Sequence, residues 1–146
     1  MEDEYKNTIP EQLTEQINLS YVRIIKTYLQ LHNKYKQFKF RNNDEELKKF
    51  FHLFDQYFYD NTGKINRDNI RSLMPPNLEK NIKEKYSMLS DNEIHLCYLI
   101  LFNVSVSEIT DILPFTQNSI YVITNRIKRK TGMKNIKDSL KTLVVT

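Results

Sequence analysis

Two glycines and four prolines in 146 residues leave this chain short of turn-formers. That argues against a fold of many short strands and in favour of helices. A single cysteine, Cys97, excludes an internal disulfide framework and fits a reducing compartment; it reads as a small core residue. The longest unbroken apolar run, LCYLILF at 96–102, is too short to span a bilayer. The amino-terminal MEDEYKNTIPEQ is acidic and polar, unlike a signal peptide. The chain is therefore read as cytoplasmic, with no membrane segment.

The chemistry of catalysis is also missing. His32, His52 and His95 are scattered and form neither an HExxH nor a Cys/His metal spacing. No glycine-rich phosphate loop is present, and no serine or cysteine has a base beside it in a motif. FDQYFYDNTGKINRDNI has the outline of an EF-hand, but the register fails. With Gly63 at the sixth loop position, the first and twelfth are Phe58 and Asn69, where calcium requires carboxylates. A turn is the reading there. No enzyme, cofactor or metal is expected.

What is present is ordinary in bulk and uneven in charge. A hydrophobic content of 40% with 27% charged residues suits one domain, or one compact domain with an extension. Residues 114–146 carry seven Lys or Arg against Asp138 alone, a balance of +6. Residues 1–113 carry fifteen against seventeen, a balance of −2. A basic block at one end suggests a polyanionic partner.

The sequence predicts an all-α fold: a flexible tail over 1–8, an N-terminal helical region over 9–88, and a C-terminal bundle over 89–146. A long helix is expected from Thr8 and Pro10 to about residue 40. Ile17, Ile24, Leu31 and Phe38 alternate there with Tyr21, Tyr28 and Tyr35 at coiled-coil spacing. Packing of this helix on its own domain and pairing in a homodimer both fit the pattern. A second helix, with Asn43 as its expected N-cap and Glu46 three residues on, shows a broad aromatic face. Leu47, Phe50, Phe51, Phe54, Tyr57 and Phe58 lie on it and read as core. Short helices are expected around 67–73 and 78–87, separated at Pro75-Pro76.

From residue 87 the caps become regular. SDNE at 90–93 and SVSE at 105–108 are capping boxes, at Ser90 with Glu93 and at Ser105 with Glu108. Thr116 offers a third cap. Helices of roughly ten, eight and fourteen residues follow from this punctuation. Asn103 suits a left-handed link between the first two. A short helix, a tight turn and a longer basic helix make a helix-turn-helix.

The third helix separates into two faces at about 100° per residue. Ile120, Ile123 and Ile127 turn inward. Asn118, Tyr121, Val122, Asn125 and Arg129 turn outward, flanked by Arg126, Lys128 and Lys130. Basic residues in a last turn also complement the helix dipole, yet that leaves unexplained the lack of any acid from 112 to 137. The reading favoured is a recognition helix over 117–130 in a DNA major groove. Asn118, Tyr121, Val122 and Asn125 would meet base edges. Thr116, Ser119, Arg126, Lys128, Arg129, Lys130 and Lys134 would meet phosphates.

LSDNEIHLCYLILFNVSVSEITDILPFTQNSIYVITNRIKRKTGM, 89–133, resembles the LuxR/GerE-type helix-turn-helix family of bacterial transcription regulators, most nearly the Bacteroidetes form. Glu93, Leu96, Leu99, Ser105, Glu108, Ile109, Thr116, Ile120, Ile127, Arg129, Lys130 and Gly132 are among the positions that match. FDQYF at 54–58 is similar to a segment that precedes the motif there. The resemblance implies a DNA-binding regulator with double-stranded DNA as partner, a homodimer, and candidate contact with RNA polymerase. It also implies a fourth helix after Gly132, with Ile136, Leu140 and Leu143 as an apolar dimerisation face. Departures occur at Asn103 (usually Gly), Thr110 (usually Ala), and Tyr121 and Ile123 (usually Lys and His). Two other readings stay open, a protein-interaction module on the same scaffold and a sigma-factor-like promoter reader.

Overall fold

The computed structural model describes residues 10–144, so the expected tail over 1–8 lies outside the described residues. Eight α-helices follow one another: α1 (Glu11–Arg41), α2 (Lys48–Phe58), α3 (Arg67–Ser72), α4 (Leu78–Lys85), α5 (Asp91–Leu101), α6 (Val106–Thr110), α7 (Gln117–Thr131) and α8 (Ile136–Leu140). Short 3-10 turns span Glu45–Leu47 and Lys141–Val144. The described residues contain no strand, only an isolated antiparallel bridge between Tyr59 and Ile65. The all-α expectation holds.

Helix α5 is the centre. Residues 93–99 and Leu101 are all buried, because helices lie on several sides of it: α8 and α4 pack directly against it. Its N-terminus is the expected capping box, with Ser90 Oγ accepting from the Glu93 amide at 3.2 Å and Glu93 Oε1 accepting from the Ser90 amide at 2.9 Å. Asn103 adopts φ 62°, the left-handed link the sequence called for. Helix α6 has five residues rather than the expected eight or so; after Thr110 the chain turns through Ile112 and Leu113, both buried.

One hydrophobic core runs from Ile25 to Val144 and crosses residue 88 without a break. Polar bonds tie the ends together. Asn18 Nδ2 donates to the Lys141 carbonyl at 3.2 Å, Asn81 Nδ2 to the Leu143 carbonyl at 3.1 Å, and the Ile65 amide to the Asp111 carbonyl at 2.8 Å. Arg67 Nη1 lies 3.0 Å from His95 Nδ1, and His95 Nε2 lies 2.9 Å from Glu79 Oε1. This geometry describes a neutral imidazole that accepts from Arg67 and donates to Glu79. Burial, with Arg67 beside it, holds His95 below the ordinary histidine range despite Glu79.

The structure narrows one open choice and changes further expectations. First, α1 packs on its own domain through Tyr21, Ile25, Tyr28, Leu29 and His32, while Ile24, Leu31 and Phe38 stay about half exposed. Ile17 packs on the core as well, so the heptad divides into an inner tyrosine row with Ile17 and an outer row of Ile24, Leu31 and Phe38. Second, the aromatic face of α2 is mostly not core: Phe51 and Phe58 are buried, but Phe50, Phe54 and Tyr57 are exposed. Helix α2 packs on α1 in part through Tyr35, whose ring stacks on Phe58 at 5.2 Å and meets Phe54 at 5.4 Å. Nor does Asn43 cap this helix; a 3-10 turn begins after Asp44, without a side-chain cap. Third, Ile136 and Leu140 of α8 are buried against the chain's own core, which removes the expected dimerisation face.

Candidate nucleic-acid interface

Helix α7 is fixed at both ends by local chemistry. Thr116 Oγ1 accepts from the Ser119 amide at 3.2 Å, while its own hydrogen goes to Ser119 Oγ at 2.9 Å. At the other end Gly132 takes φ 78°, the left-handed conformation that closes a helix and that side chains disfavour. Between the caps Ile120, Ile123 and Ile127 are buried, and α6 packs against the helix.

The outward face matches the helical wheel. Asn118, Tyr121, Val122, Asn125 and Arg129 are all exposed, Tyr121 at 60% and Val122 at 62%. An exposed valine and tyrosine on a helix whose other apolar residues are all inside mark a face suited to something other than water. None of the three polar side chains, Asn118, Asn125 or Arg129, has a hydrogen-bond partner among the described residues. Their amide and guanidinium groups are free to present donors and acceptors outward.

The cations divide into two sets. Lys128, Arg129 and Lys134 have no ion-pair partner among the described residues. Lys130 Nζ sits 2.9 and 3.1 Å from the two carboxylate oxygens of Glu93, and Arg126 Nε lies 3.4 Å from Glu93 Oε2. Glu93 is only 2% exposed. Burial pushes its carboxyl up, but the Ser90 amide and hydroxyl and the Lys130 ammonium together hold it below the ordinary range. One carboxylate thus caps α5 and anchors α7 in the same geometry.

Sequence reasoning assigned Glu93 a cap only. Its contacts with α7 join residues 33 and 37 positions apart, and nothing local in the sequence signals them. The structure also brings Thr110, the departure at the small-residue position, into a half-buried place where its hydroxyl donates to the Ser107 carbonyl at 2.6 Å. Its polar group is satisfied within its own helix. Lys137 Nζ reaches Asn103 Oδ1 at 2.5 Å and so braces the link between α5 and α6.

Comparison with protein-family models, with curated proteins and with solved structures returns no match to this chain. No helix among the described residues is long and apolar enough to cross a membrane.

Proposed function

We propose that this chain is a sequence-specific DNA-binding transcription regulator of the bacterial cytoplasm, similar to the LuxR/GerE type, with α6 and α7 as its helix-turn-helix. The observation that carries the reading is the outward face of α7. Its amide, phenol and guanidinium groups stand unpartnered beside free cations, on a helix locked by a cap at each end. Asn118, Tyr121, Val122 and Asn125 read base edges in the major groove. Lys128, Arg129 and Lys134 neutralise phosphates, with Thr116 and Ser119 at the helix entrance. Arg126 and Lys130 position α7 through Glu93 and add a weaker phosphate attraction. A homodimer would read half-sites about one helical turn apart, ~10 bp.

The test is Asn125→Ala, titrated against a duplex recovered by selection and against random DNA. The expected loss is about 1–3 kcal/mol on the preferred site and little on random sequence. Folding stability should stay within about 0.5 kcal/mol, because the side chain is exposed. Absence of any salt-dependent binding to duplexes would instead identify a protein-interaction module on this scaffold.

A further inference from the structure

Tyr98, on α5, is 1% exposed, and its hydroxyl has no hydrogen-bond partner among the described residues. A buried hydroxyl without a partner is costlier than one that is bonded or left in water. The side chain lines a cavity of about 510 Å³ between α3, the start of α4 and α5, a size that suits a small molecule. The charges that act on the hydroxyl include those of Glu79, Arg71 and Asp68, and all three line the same cavity. The polar end of Tyr98 therefore belongs to the cavity wall. Burial pushes its pKa up, so it stays a neutral donor.

Helix α4 begins at this cavity without a side-chain cap: Asn77, at φ 67°, accepts no bond through its side chain. The first-turn amides of Glu79 and Lys80 have no acceptor among the described residues, and they carry the positive end of the helix dipole. Arg71 is half exposed and gives Nη2 to Glu79 Oε2 at 2.9 Å. The other oxygen of Glu79 lies 2.9 Å from His95 Nε2, so this carboxylate is committed. Asp68 is not. Its side chain is 85% exposed, and only a long approach of 3.6 Å to Arg71 Nη1 engages it. Met74, Pro75 and Pro76 add an apolar wall.

Charge decides what fits. Along the wall Asp68 and Glu79 cancel Arg71 and Lys80, so a bare anion or a bare cation gains little net attraction. A molecule that carries both charges meets both sets. We propose that this cavity binds a free α-amino acid. Its carboxylate takes the first-turn amides of α4, the Arg71 guanidinium and the Tyr98 hydroxyl. Its ammonium takes Asp68, and its side chain rests on Met74, Pro75 and Pro76. The inference goes beyond the DNA-binding reading and depends on no residue of α7, so it is tested without DNA.

The full chain is melted with each standard amino acid at about 10 mM, enough to register a dissociation constant of about 1 mM. Acetate, inorganic phosphate and methylamine serve as probes that carry one sign of charge. At least one amino acid is expected to raise the melting temperature while these probes do not, and calorimetric titration then gives its affinity. Tyr98→Phe is expected to weaken that affinity about tenfold, the worth of one hydrogen bond. Without ligand the same variant should melt no lower than the unaltered protein, because the hydroxyl it deletes has no partner. Asp68→Asn, at an exposed side chain, should weaken binding by a similar factor and leave the fold unchanged. Absence of a shift with every amino acid would overturn the proposal. So would an equal shift with acetate or phosphate, which would mean an anion site only, or an affinity that either variant leaves intact. The Asn125→Ala titration reads DNA recognition separately, so either reading can fail while the other stands.

Discussion

Helices α1 and α7 each bury one side and expose the other at the same period, and they differ in what they expose. Helix α7 turns out amides, a phenol and free cations around an isolated valine. Helix α1 turns out leucine, isoleucine and phenylalanine, with its two hydroxyl residues bonded back to their own backbone. A polar outer face that keeps its donors unpaired suits a ligand that is itself polar and charged. An apolar outer row whose hydroxyl neighbours are bonded within their own helix suits an apolar surface. The inner faces of these helices make the fold; the outer faces differ in the chemistry they offer.

The sharpest way to break this comparison is to truncate one inner side chain of α7 and one outer side chain of α1. Ile127 is fully buried, so Ile127→Ala should cost on the order of 2–5 kcal/mol of folding free energy, measured by urea titration. The same truncation at the outward Ile24 should stay within about 0.5 kcal/mol, because that side chain is about half exposed. Equal costs at both positions would mean that the outer row of α1 is covered within one chain.

Glu93→Gln comes next, because it loosens α5 and α7 together. It keeps the side-chain shape but removes the charge that holds Lys130 and Arg126. Both cations are partly exposed and can return to water, which reduces the cost. A loss of about 1–2 kcal/mol is expected from the weakened cap and charge-assisted bonds. Specific DNA affinity should fall with it, because α7 loses its anchor.

A related contrast concerns the cations themselves. If Lys128 and Lys134 face phosphates freely, replacing either with Ala should flatten the dependence of log K on log salt by about one unit. Lys130→Ala should flatten it by less and should lower the melting temperature, since its ammonium is engaged by Glu93. A full unit lost at Lys130 with unchanged stability would place it among the free cations.

Acidification should produce a gentler change with a definite sign. His95 and His32 are both held below the ordinary histidine value of 6.5, chiefly by burial, so they stay neutral in the fold. The unfolded chain takes up protons first, and stability should be fully present above about pH 7 and decline as pH falls below 6.5. Glu79 and Glu93 are held below the ordinary carboxylate range, and their contribution is lost only at lower pH. Urea midpoints across pH 5–8 should fall less steeply in His95→Gln than in the unaltered protein.

The parts of this molecule that were legible in sequence are those fixed within a few residues. Ser90 with Glu93, Ser105 with Glu108, Thr116 and Gly132 each close a helix end through neighbours three or four positions away, so their spacing alone identifies them. The isoleucine row of α7 is equally local, because 3.6-residue periodicity sorts side chains into faces. Periodicity does not say whether anything lies against a face. That is why Phe50, Phe54 and Tyr57 read as core and turned out exposed, and why the apolar side of α8 read as a dimer surface and proved to be interior. The contact between Glu93 and Lys130 joins residues 37 apart, and no local pattern encodes it.

The bond from Asn18 to the Lys141 carbonyl closes a loop whose ends lie 123 positions apart in the chain. Such a closure costs more chain entropy than any helix-to-helix contact within 78–140, so it belongs late in folding. On a ribosome α1 emerges well before part of its seat, the turn at Lys141–Val144. During that interval its inner tyrosine row and its outer aliphatic row are both uncovered. Synthesis therefore passes through a stage at which one helix carries two sticky sides.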